Sequence, residues 1–495
     1  MPKQFNFSFI NLGCTKNLVD SQHFLGRLFD ISLKTPDYQL RYFTDPFQKE
    51  TDIVFVNTCG FISTGRDEAE ELVCKLLKAK KNVYLLGCAV QYFTKLKNGK
   101  VETWKHGILQ KRINNSQLGT KRTSTVSKSS LNSQLFFLSR GDLNKVTIKN
   151  LMQGYDSKTF GNFEFSKGPR VYTNLQDKFE YLKIAEGCNN HCSFCIIPQI
   201  RGKQQSLPIE KIIAEVKNML KAGIQEIILI AQDTTRYGSD LYGKPALFEL
   251  LRKIDEVGGD FRYRLLYLYP DVVTLKQLEQ LTKLKKFIPY FDVPLQHISS
   301  PILKRMGRFY DEKYIKKFLG QIKKLFPVHF IRTNLIIGFP GETKQDFEKL
   351  KTFVQEENFD TIALFEYHDE PLAASSRLGD KVGDLEIRRR FKEMESIVDK
   401  LLMKKQKARK GKQEIGFIIN IETLKNGNLA YRQAGVEIGK DKNSKLGTIH
   451  YTLTVRPRLH CPEIDSYDEI SAKQIVGTFE KKNELEIGDK IMYTI

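Results

Sequence analysis

The most informative stretch of this sequence is residues 181–202, YLKIAEGCNNHCSFCIIPQIRG. Its first residues, 181–185, form a short apolar run that is typical of a strand. The run leads into a loop that contains Cys188, Cys192 and Cys195. A four-iron cluster needs four ligands, so three thiolates in one loop hold three irons and leave the fourth iron open. The pattern therefore indicates chemistry on an open iron at the end of a strand.

A structural zinc site is the alternative for these three cysteines. Zinc normally takes four protein ligands, often in paired CxxC spacing. The one further donor that the loop sequence offers is His191, directly beside Cys192. The strand-to-loop context favours the iron cluster over zinc.

Length and composition set the broad class. The chain has 495 residues, of which 41% are hydrophobic, and this is enough for about three domains. The start, MPKQFNFSFINLGC, lacks the features of an export signal, and no apolar stretch approaches membrane length. We therefore expect a reducing, cytoplasmic compartment, no membrane, and eight cysteines that are free or metal-bound.

The chain is strongly basic. It has 79 Lys and Arg against 58 Asp and Glu, a net charge of +21. Such a surplus is typical of proteins that neutralise phosphates, so it favours RNA or a ribosomal particle as a partner. A generally basic proteome is the alternative explanation.

Three more cysteines follow predicted strands in residues 1–96, the predicted N-terminal domain. Apolar runs at 7–13, 52–58 and 82–87 precede Cys14, Cys59 and Cys88, and helical patterns lie between them. Alternating strands and helices predict a parallel sheet, in which ligands gather at the carboxyl ends of the strands. The pattern predicts a second three-thiolate cluster; three unrelated core cysteines are the alternative. Cys74, inside a helical run, is predicted to be a small buried hydrophobe.

Residues 97–160 are predicted to be a basic, low-complexity insertion. The stretch 97–150 has eleven Lys and Arg against two Asp and Glu, and it is rich in Ser, Asn and Thr. Such a composition buries too little apolar surface to order its middle. A solvated linker is one interpretation and a basic arm on ribosomal RNA is the other, while 135–138 and 146–152 could add local structure.

The central segment, 174–408, is predicted to be a partial (β/α)6 barrel with a connecting helix over 385–410. Six apolar runs alternate with amphipathic segments, and Pro208, Thr274 and Thr343 signal helix starts. Sites in such barrels lie at the carboxyl ends of the strands. The candidates there, besides the cysteine loop, are Gln232, Asp233, Gln296, His297, Gly338 and Gly341.

The two glycines and His297 have alternatives of their own. Gly338 and Gly341 could let the backbone approach a cofactor, or they could serve a tight turn. His297 is either a participant or a hydrogen-bonded core histidine. The tail, 410–495, changes to short alternating runs broken by Gly, Asn and Asp, which predict a small antiparallel barrel.

The order of these parts resembles that of the radical S-adenosylmethionine (SAM) methylthiotransferases, whose small C-terminal barrel is the TRAM domain. Within that family, the sequence is similar to the branch that modifies an aspartate of a small-subunit ribosomal protein. The resemblance covers nearly the whole chain apart from residues 97–160. It rests on the strings INLGCTKNLVDSQ, NTCGFI, YLKIAEGCNNHCSFCIIPQIRG, LLYLYP, FDVPLQHIS, LKRMGR, IIGFPGET and FEYHDEPLAAS.

The resemblance implies two 4Fe-4S clusters. Cys188, Cys192 and Cys195 hold the cluster that cleaves SAM, and the resulting deoxyadenosyl radical takes a hydrogen from the aspartate β-carbon. Cys14, Cys59 and Cys88 hold the cluster that carries the sulfur, which a second SAM methylates. An external electron donor of flavodoxin or ferredoxin type is then required. Gln296, Gly338 and Gly341 are the predicted SAM contacts.

Two other functions stay open at this point. One is a tRNA adenosine methylthiotransferase with the same chemistry. The other is a non-catalytic iron–sulfur RNA-binding protein that works through its tail. The sequence also departs from the family pattern at Leu207, His460, Cys461 and Ser466, which bears on substrate docking.

Overall fold

The computed structural model carries side chains for most of the N-terminal and central parts of the chain. It describes residues 2–95, 134–138, 143, 145–155 and 168–425. In the C-terminal segment it describes 428–431, 436–437, 450–457, 459–462, 465, 468–471, 475–478, 484–485 and 490–495.

The N-terminal part is a five-stranded parallel sheet in the order β2-β1-β3-β4-β5, as the alternating pattern predicts. Its strands are β1 (Lys3–Asn11), β2 (Tyr38–Tyr42), β3 (Ile53–Thr58), β4 (Asn82–Gly87) and β5 (Leu135–Phe137). Its helices are α1 (Thr15–Lys34), α2 (Ser63–Lys78), α3 (Cys88–Lys95) and α4 (Ile148–Met152). Stacked aromatic side chains, such as Phe55, Tyr84 and Phe136, pack on one face of the sheet.

The fifth strand comes from the predicted insertion. Residues 135–137 pair with β4, and all three are buried. Their apolar side chains complete the sheet, so this part of 97–160 belongs to the N-terminal domain rather than to a linker. The low-complexity middle, 96–133, lies outside the described residues. Cys74 is half-buried on the flank of α2, which corrects the prediction of a buried residue.

The central part is a six-stranded parallel sheet in the order β13-β12-β11-β10-β9-β6, which confirms the predicted α/β barrel. Its strands are β6 (Phe179–Lys183), β9 (Glu226–Ile230), β10 (Arg262–Leu265), β11 (Phe287–Gln296), β12 (Phe330–Ile337) and β13 (Thr361–Glu366). A short antiparallel pair, β7 (Ala185–Glu186) and β8 (Gln205–Ser206), flanks the cysteine loop.

Helices cover the outer face of this sheet and bury a large apolar core against it. They are α5 (Ile197–Arg201), α6 (Ile209–Lys221), α7 (Ser239–Tyr242), α8 (Leu247–Asp255), α9 (Leu275–Leu281), α10 (Ser300–Arg305), α11 (Glu312–Leu325), α12 (Lys344–Glu357) and α13 (Asp384–Arg409), with a 3-10 turn at Ala374–Arg377. The predicted starts are observed, because Thr274 and Thr343 form capping boxes and Pro208 precedes α6. The connecting helix is α13. Among the helices that the structure describes, none is long and apolar enough to cross a membrane.

The C-terminal segment forms antiparallel strands, described here by their backbone. They are β14 (Gln413–Lys425), β15 (Asn428–Tyr431), β16 (Val436–Glu437), β17 (His450–Pro457), β18 (Asp468–Ser471), β19 (Ile475–Thr478), β20 (Glu484–Leu485) and β21 (Lys490–Thr494). The long strand β14 pairs with β15, β17 and β21, so it organises the sheet.

A short part of this segment packs against the second face of the barrel sheet. Cys461 is fully buried in an apolar cluster with Tyr181, and the Tyr181 hydroxyl donates to the carbonyl of Pro462 at 3.1 Å. The His460 ring lies 5.0 Å from that of Phe330. These two departures from the family pattern therefore serve the packing of the tail on the barrel. Leu207 is half-buried beside α7, and Ser466 lies outside the described residues.

Candidate metal centres at the domain junction

The structure brings Cys14, Cys59 and Cys88 to one edge of the N-terminal sheet. The strands β1, β3 and β4 are parallel neighbours, so their carboxyl ends lie side by side. Cys59 and Cys88 directly follow β3 and β4, and Cys14 is the residue that caps the start of α1. Burial raises the pKa of the Cys59 thiol, and the nearby Cys88 and Cys14 thiols raise it further. The three thiols are thus within electrostatic reach of one another.

Glycine allows the Cys59 loop to touch the Cys88 backbone. A Cβ atom on Gly60 would lie 2.4 Å from both the carbonyl carbon and the carbonyl oxygen of Cys88. Gly87, just before Cys88, has a φ of +94°, which L side chains rarely adopt. The close approach of the two loops therefore depends on these two glycines.

We expect Gly60→Ala to separate the two loops and to weaken iron binding by the N-terminal cysteines. The forced overlap with backbone atoms should destabilise the fold by about 1–3 kcal/mol. Iron per chain should fall, while cleavage of SAM at the central site should persist. Gly379→Ala is the matched control, since a Cβ there meets nothing within 4 Å. Full iron content in the Gly60 variant would contradict this dependence.

Nearby cations act on Cys14. Although the residue is exposed, desolvation by the surrounding protein alone would raise the pKa of its thiol, but Lys16, Arg201 and the backbone N–H groups of Asn17 and Lys16 lower it overall. A thiolate is the form that binds iron, so this environment suits a ligand. The same electrostatic field favours any negatively charged group at this edge of the sheet.

The central cysteine loop is held by backbone contacts on both sides. The Cys188 N–H donates to the carbonyl of Gly202 at 3.1 Å, and the Ser193 N–H donates to the carbonyl of Met306 at 3.0 Å. A Cβ on Gly307 would lie 2.6 Å from the carbonyl oxygen of His191, so the loop rests directly on that turn. The backbone of His191 therefore packs directly against Gly307.

Two of the three central thiols accept backbone hydrogen bonds. The N–H groups of Asn190 and Ile197 lie 3.4 Å from the sulfurs of Cys188 and Cys195. Burial raises the pKa of both thiols to about 12, so as free groups they stay protonated at neutral pH. A bound metal displaces such protons and makes the thiolate stable. Buried thiols that accept backbone N–H hydrogen bonds are suited to hold an iron–sulfur cluster.

Zinc and a four-iron cluster place different demands on the cysteines. Zinc needs four donors around one point, whereas each thiolate of a four-iron cluster binds its own iron. Among the described residues, no three His, Cys, Asp or Glu side chains are placed to share one ion.

A buried polar network joins the two cysteine sites. Arg201, at the end of α5, is 2% exposed and donates to the Glu186 carboxylate at 2.5 Å. The same guanidinium donates to the side-chain oxygen of Asn17 in α1. That oxygen lies 3.7 Å from the sulfur of Cys88. One side chain from the central loop thus reaches the edge of the N-terminal site.

Glu186 extends the network on the barrel side. It accepts from Lys183 at 2.9 Å and from Gln232 at 2.8 Å, and it is fully buried. Lys183 also pairs with Asp20 of α1. Since buried charges of this kind tolerate little movement, the network holds the two sites at a set separation.

The other predicted site residues lie along the same edge of the barrel. Gln296 is the last residue of β11, is 8% exposed and has a φ of +72°, a backbone conformation often found at functional sites. A Cβ on Gly338 would lie 2.4 Å from Ile387, and one on Gly341 would lie 2.7 Å from Arg305. The close approach of Ile387 and Arg305 therefore explains both glycines. Contact of SAM with Gln296, Gly338 and Gly341 stays a prediction.

Asp233 and His297 have structural partners. Asp233 is 1% exposed and accepts from the Asn190 amide at 2.7 Å, so it braces the cysteine loop. His297 accepts from the Ser299 N–H at its Nδ1 atom at 2.9 Å, and its Nε2 atom lies 3.5 Å from Glu342. Its environment is that of a hydrogen-bonded core histidine.

Sequence reasoning missed four buried polar residues at the junction: Lys16, Asn17, Glu186 and Arg201. Lys16, Asn17 and Glu186 lie within three residues of a predicted ligand cysteine, and Arg201 lies six residues after Cys195. Charged residues are rarely buried unless they are paired. Charged residues close to predicted metal ligands were therefore the sequence signal that could have identified this network.

Comparisons with known proteins agree with this geometry. Residues 182–354 match the family model described as the radical SAM superfamily, and residues 6–103 match one described as uncharacterized protein family UPF0004. The first match covers the barrel with its cysteine loop. The second covers the sheet with the N-terminal cysteines.

Curated relatives match over most of the chain. One, "Ribosomal protein uS12 methylthiotransferase RimO" of Clostridium tetani, is 36% identical over 77% of this chain and 78% of its own length. Another protein of the same name, from Dictyoglomus thermophilum, is 34% identical over 93% of this chain and 97% of its own length.

Proposed function

This chain belongs to the RimO family of radical SAM methylthiotransferases, and from that premise we propose that it methylthiolates the β-carbon of an aspartate in ribosomal protein uS12. The names of the relatives support uS12 as the substrate. The same chemistry on a tRNA adenosine is the competing proposal. A purely RNA-binding protein is not supported, because the chain retains all six cysteines of the two sites.

The proposal assigns a separate role to each cysteine trio. Cys188, Cys192 and Cys195 would hold the 4Fe-4S cluster of the radical SAM family, and Cys14, Cys59 and Cys88 would hold a second one. When bound, these groups and SAM supply a radical that removes hydrogen from carbon and a place from which sulfur is transferred. We propose two SAM molecules per turnover.

The observation that carries this proposal is the buried connection between the two sites. Arg201 contacts Glu186 next to one trio and Asn17 next to the other. A substrate carbon activated at one site must meet sulfur at the other without diffusing away. Fixed positions of the two reacting groups are worth several kcal/mol in such a transfer. The network provides this fixed geometry through residues of the chain itself.

The protein also excludes water from the central site. Cys188 is 6% and Cys192 9% exposed, and Asp233 closes the loop from the barrel side through Asn190. Water near a carbon radical or a reduced cluster would open side reactions. The role of these residues is to bind, orient and shield.

The proposal extends to partners and location. The antiparallel strands around β14 support a TRAM-like barrel for the tail, with RNA contact as its role. With a net charge of +21, the chain is expected to meet its substrate on an RNA-containing particle in the cytoplasm, because free ribosomal proteins are typically basic. A flavodoxin- or ferredoxin-type protein would supply the electrons.

Mass spectrometry of cells with and without this chain tests the substrate. We expect loss of a methylthio group from an aspartate of uS12 when the chain is missing, and no change in tRNA nucleosides. Re-expression of the wild-type chain should restore the group, and re-expression of a Cys188→Ala variant should not. Loss of methylthio groups from tRNA adenosine, with uS12 unchanged, would instead establish the competing proposal.

A further inference from the structure

Lys16 is a buried cation for which the described part of the chain shows no carboxylate partner. It lies in the first turn of α1, is 6% exposed, and holds its ammonium 3.7 Å from the centre of the Tyr267 ring. The groups with the strongest electrostatic influence on it are Tyr267, Cys14 and Arg201. None of these is a carboxylate, although most buried lysines have one.

This position is unfavourable for a lysine on three counts. Burial removes the ammonium from water, and such a charge is costly unless it is paired. The N-terminus of a helix carries a partial positive charge, which repels a cation in the first turn. Arg201 adds a second like charge nearby. Despite burial, the Tyr267 hydroxyl and the nearby Cys14 thiol raise the pKa of the Lys16 ammonium, and a cation–π contact contributes about 2 kcal/mol, so the ammonium stays charged at neutral pH. A charged ammonium at this edge of the sheet can bind an anion.

Tyr267 is held in a strained conformation beneath the ammonium. Its φ is +62°, which is uncommon for a residue with a side chain. Its N–H donates to the Asp292 carboxylate at 3.0 Å, and its carbonyl accepts from the Thr234 hydroxyl at 2.9 Å. Strain that surrounding contacts maintain in this way is typical of functional sites.

Lys16 comes from the N-terminal domain and Tyr267 from the barrel, and the two residues meet where the carboxyl ends of both sheets lie. Lys16 is two residues from Cys14, and Tyr267 is two residues beyond the carboxyl end of β10, the edge of the barrel that carries the central cysteine loop. A group held by Lys16 would therefore lie near Cys14 and beside the edge of the barrel that carries the central cysteine loop. The substrate proposed above has its carboxylate one bond from the carbon that reacts.

We propose that the Lys16 ammonium binds the carboxylate of the substrate aspartate, with the Tyr267 ring as the platform beneath it. This inference rests on the proposed function and assigns Lys16 a positioning role. An ion pair of this kind distinguishes aspartate from asparagine, because the amide is neutral. It also orients the β-carbon, since one bond joins that carbon to the bound group.

The test is a binding measurement with the reconstituted holoenzyme. It compares small ribosomal particles that carry uS12 with particles whose uS12 has the methylthiolated aspartate replaced by asparagine. We expect wild type to bind the aspartate form about tenfold or more tightly, as for a hydrogen bond to a charged group. Lys16→Gln should abolish this preference, and Lys16→Arg should retain part of it.

Lys81→Gln is the matched control. Lys81 is 7% exposed and donates to the carbonyls of Gln48 at 2.6 Å and Thr51 at 2.7 Å, at the opposite end of the same sheet. It tests the general effect of removing a buried lysine from this domain. The control should keep the aspartate preference of wild type.

Three results would count against the inference. An unchanged aspartate preference in Lys16→Gln would overturn it while leaving the proposed function intact. Loss of iron or of SAM affinity in that variant, with the Lys81 control normal, would make Lys16 a counter-charge for the cluster or for SAM instead. Failure of wild type to bind the particles with either form of uS12 would remove the proposed function itself, and the inference with it.

Discussion

Replacing Cys188, Cys192 or Cys195 by Ala is expected to abolish formation of deoxyadenosine from SAM. Each residue supplies one thiolate to the predicted cluster, and Ala supplies none. The cluster would deliver the electron that cleavage requires, so the loss should be complete rather than partial. Deoxyadenosine released by the reduced, purified protein is the measurement.

Replacing Cys14, Cys59 or Cys88 should separate the two activities. Deoxyadenosine should still form, because the central loop is intact, but no methylthio group should reach the substrate. Cys74→Ala is the matched control, a half-buried cysteine in α2 of the same domain that lies outside the trio. It should leave both activities at the wild-type level.

Iron content gives this prediction an independent readout. The N-terminal triple variant should hold about half of the wild-type iron, since one of two clusters would remain. Equal iron in wild type and triple variant would rule out the second cluster. A variant that loses all of its iron would show that the N-terminal trio supports the central loop rather than a cluster of its own.

The second large effect is expected from Glu226→Gln, at the contact between the barrel and the tail. Glu226 is 2% exposed and pairs with Arg264 at 2.7 Å and with Arg456 at 2.8 Å. Both arginines are buried as well. The substitution keeps the shape but removes the carboxylate with which both buried cations pair, which costs about 3–5 kcal/mol.

Denaturant unfolding and limited proteolysis measure this effect. The variant should unfold at lower denaturant, and the tail from β14 onwards should become the first segment to be cleaved. Glu256→Gln is the control, since its pair with Arg252 is largely exposed and contributes about 1 kcal/mol or less. If the two variants are equally stable, the tail is not anchored through Glu226.

Several features of the fold are predictable from local sequence because their causes are local. Alternating apolar runs predict the parallel sheets, and the capping boxes at Thr274 and Thr343 predict where two helices begin. The cysteine positions could be predicted to converge because each follows a strand, and parallel strands end at one edge. None of these inferences needs knowledge of distant contacts.

Other features were not predictable because they depend on partners far along the chain. The strand at 135–137 lies in a segment of low overall hydrophobicity. Only its pairing with β4 identifies its three apolar residues as part of the sheet. Cys461 and His460 read as departures in an exposed tail, yet they pack on the barrel about 280 residues from Tyr181. Apolar burial is not directional, so sequence alone does not say which surfaces meet.

The sequence by itself predicted the two cysteine trios, the domain order and the family chemistry, because thiolate spacing and strand periodicity are short-range properties. Only the tertiary structure decided that Arg201, Glu186 and Asn17 join the two sites, and that Lys16 lies over Tyr267. Those contacts connect residues that are far apart in the chain. Their energies come from burial and charge pairing, which depend on distance in space and not on position in the sequence.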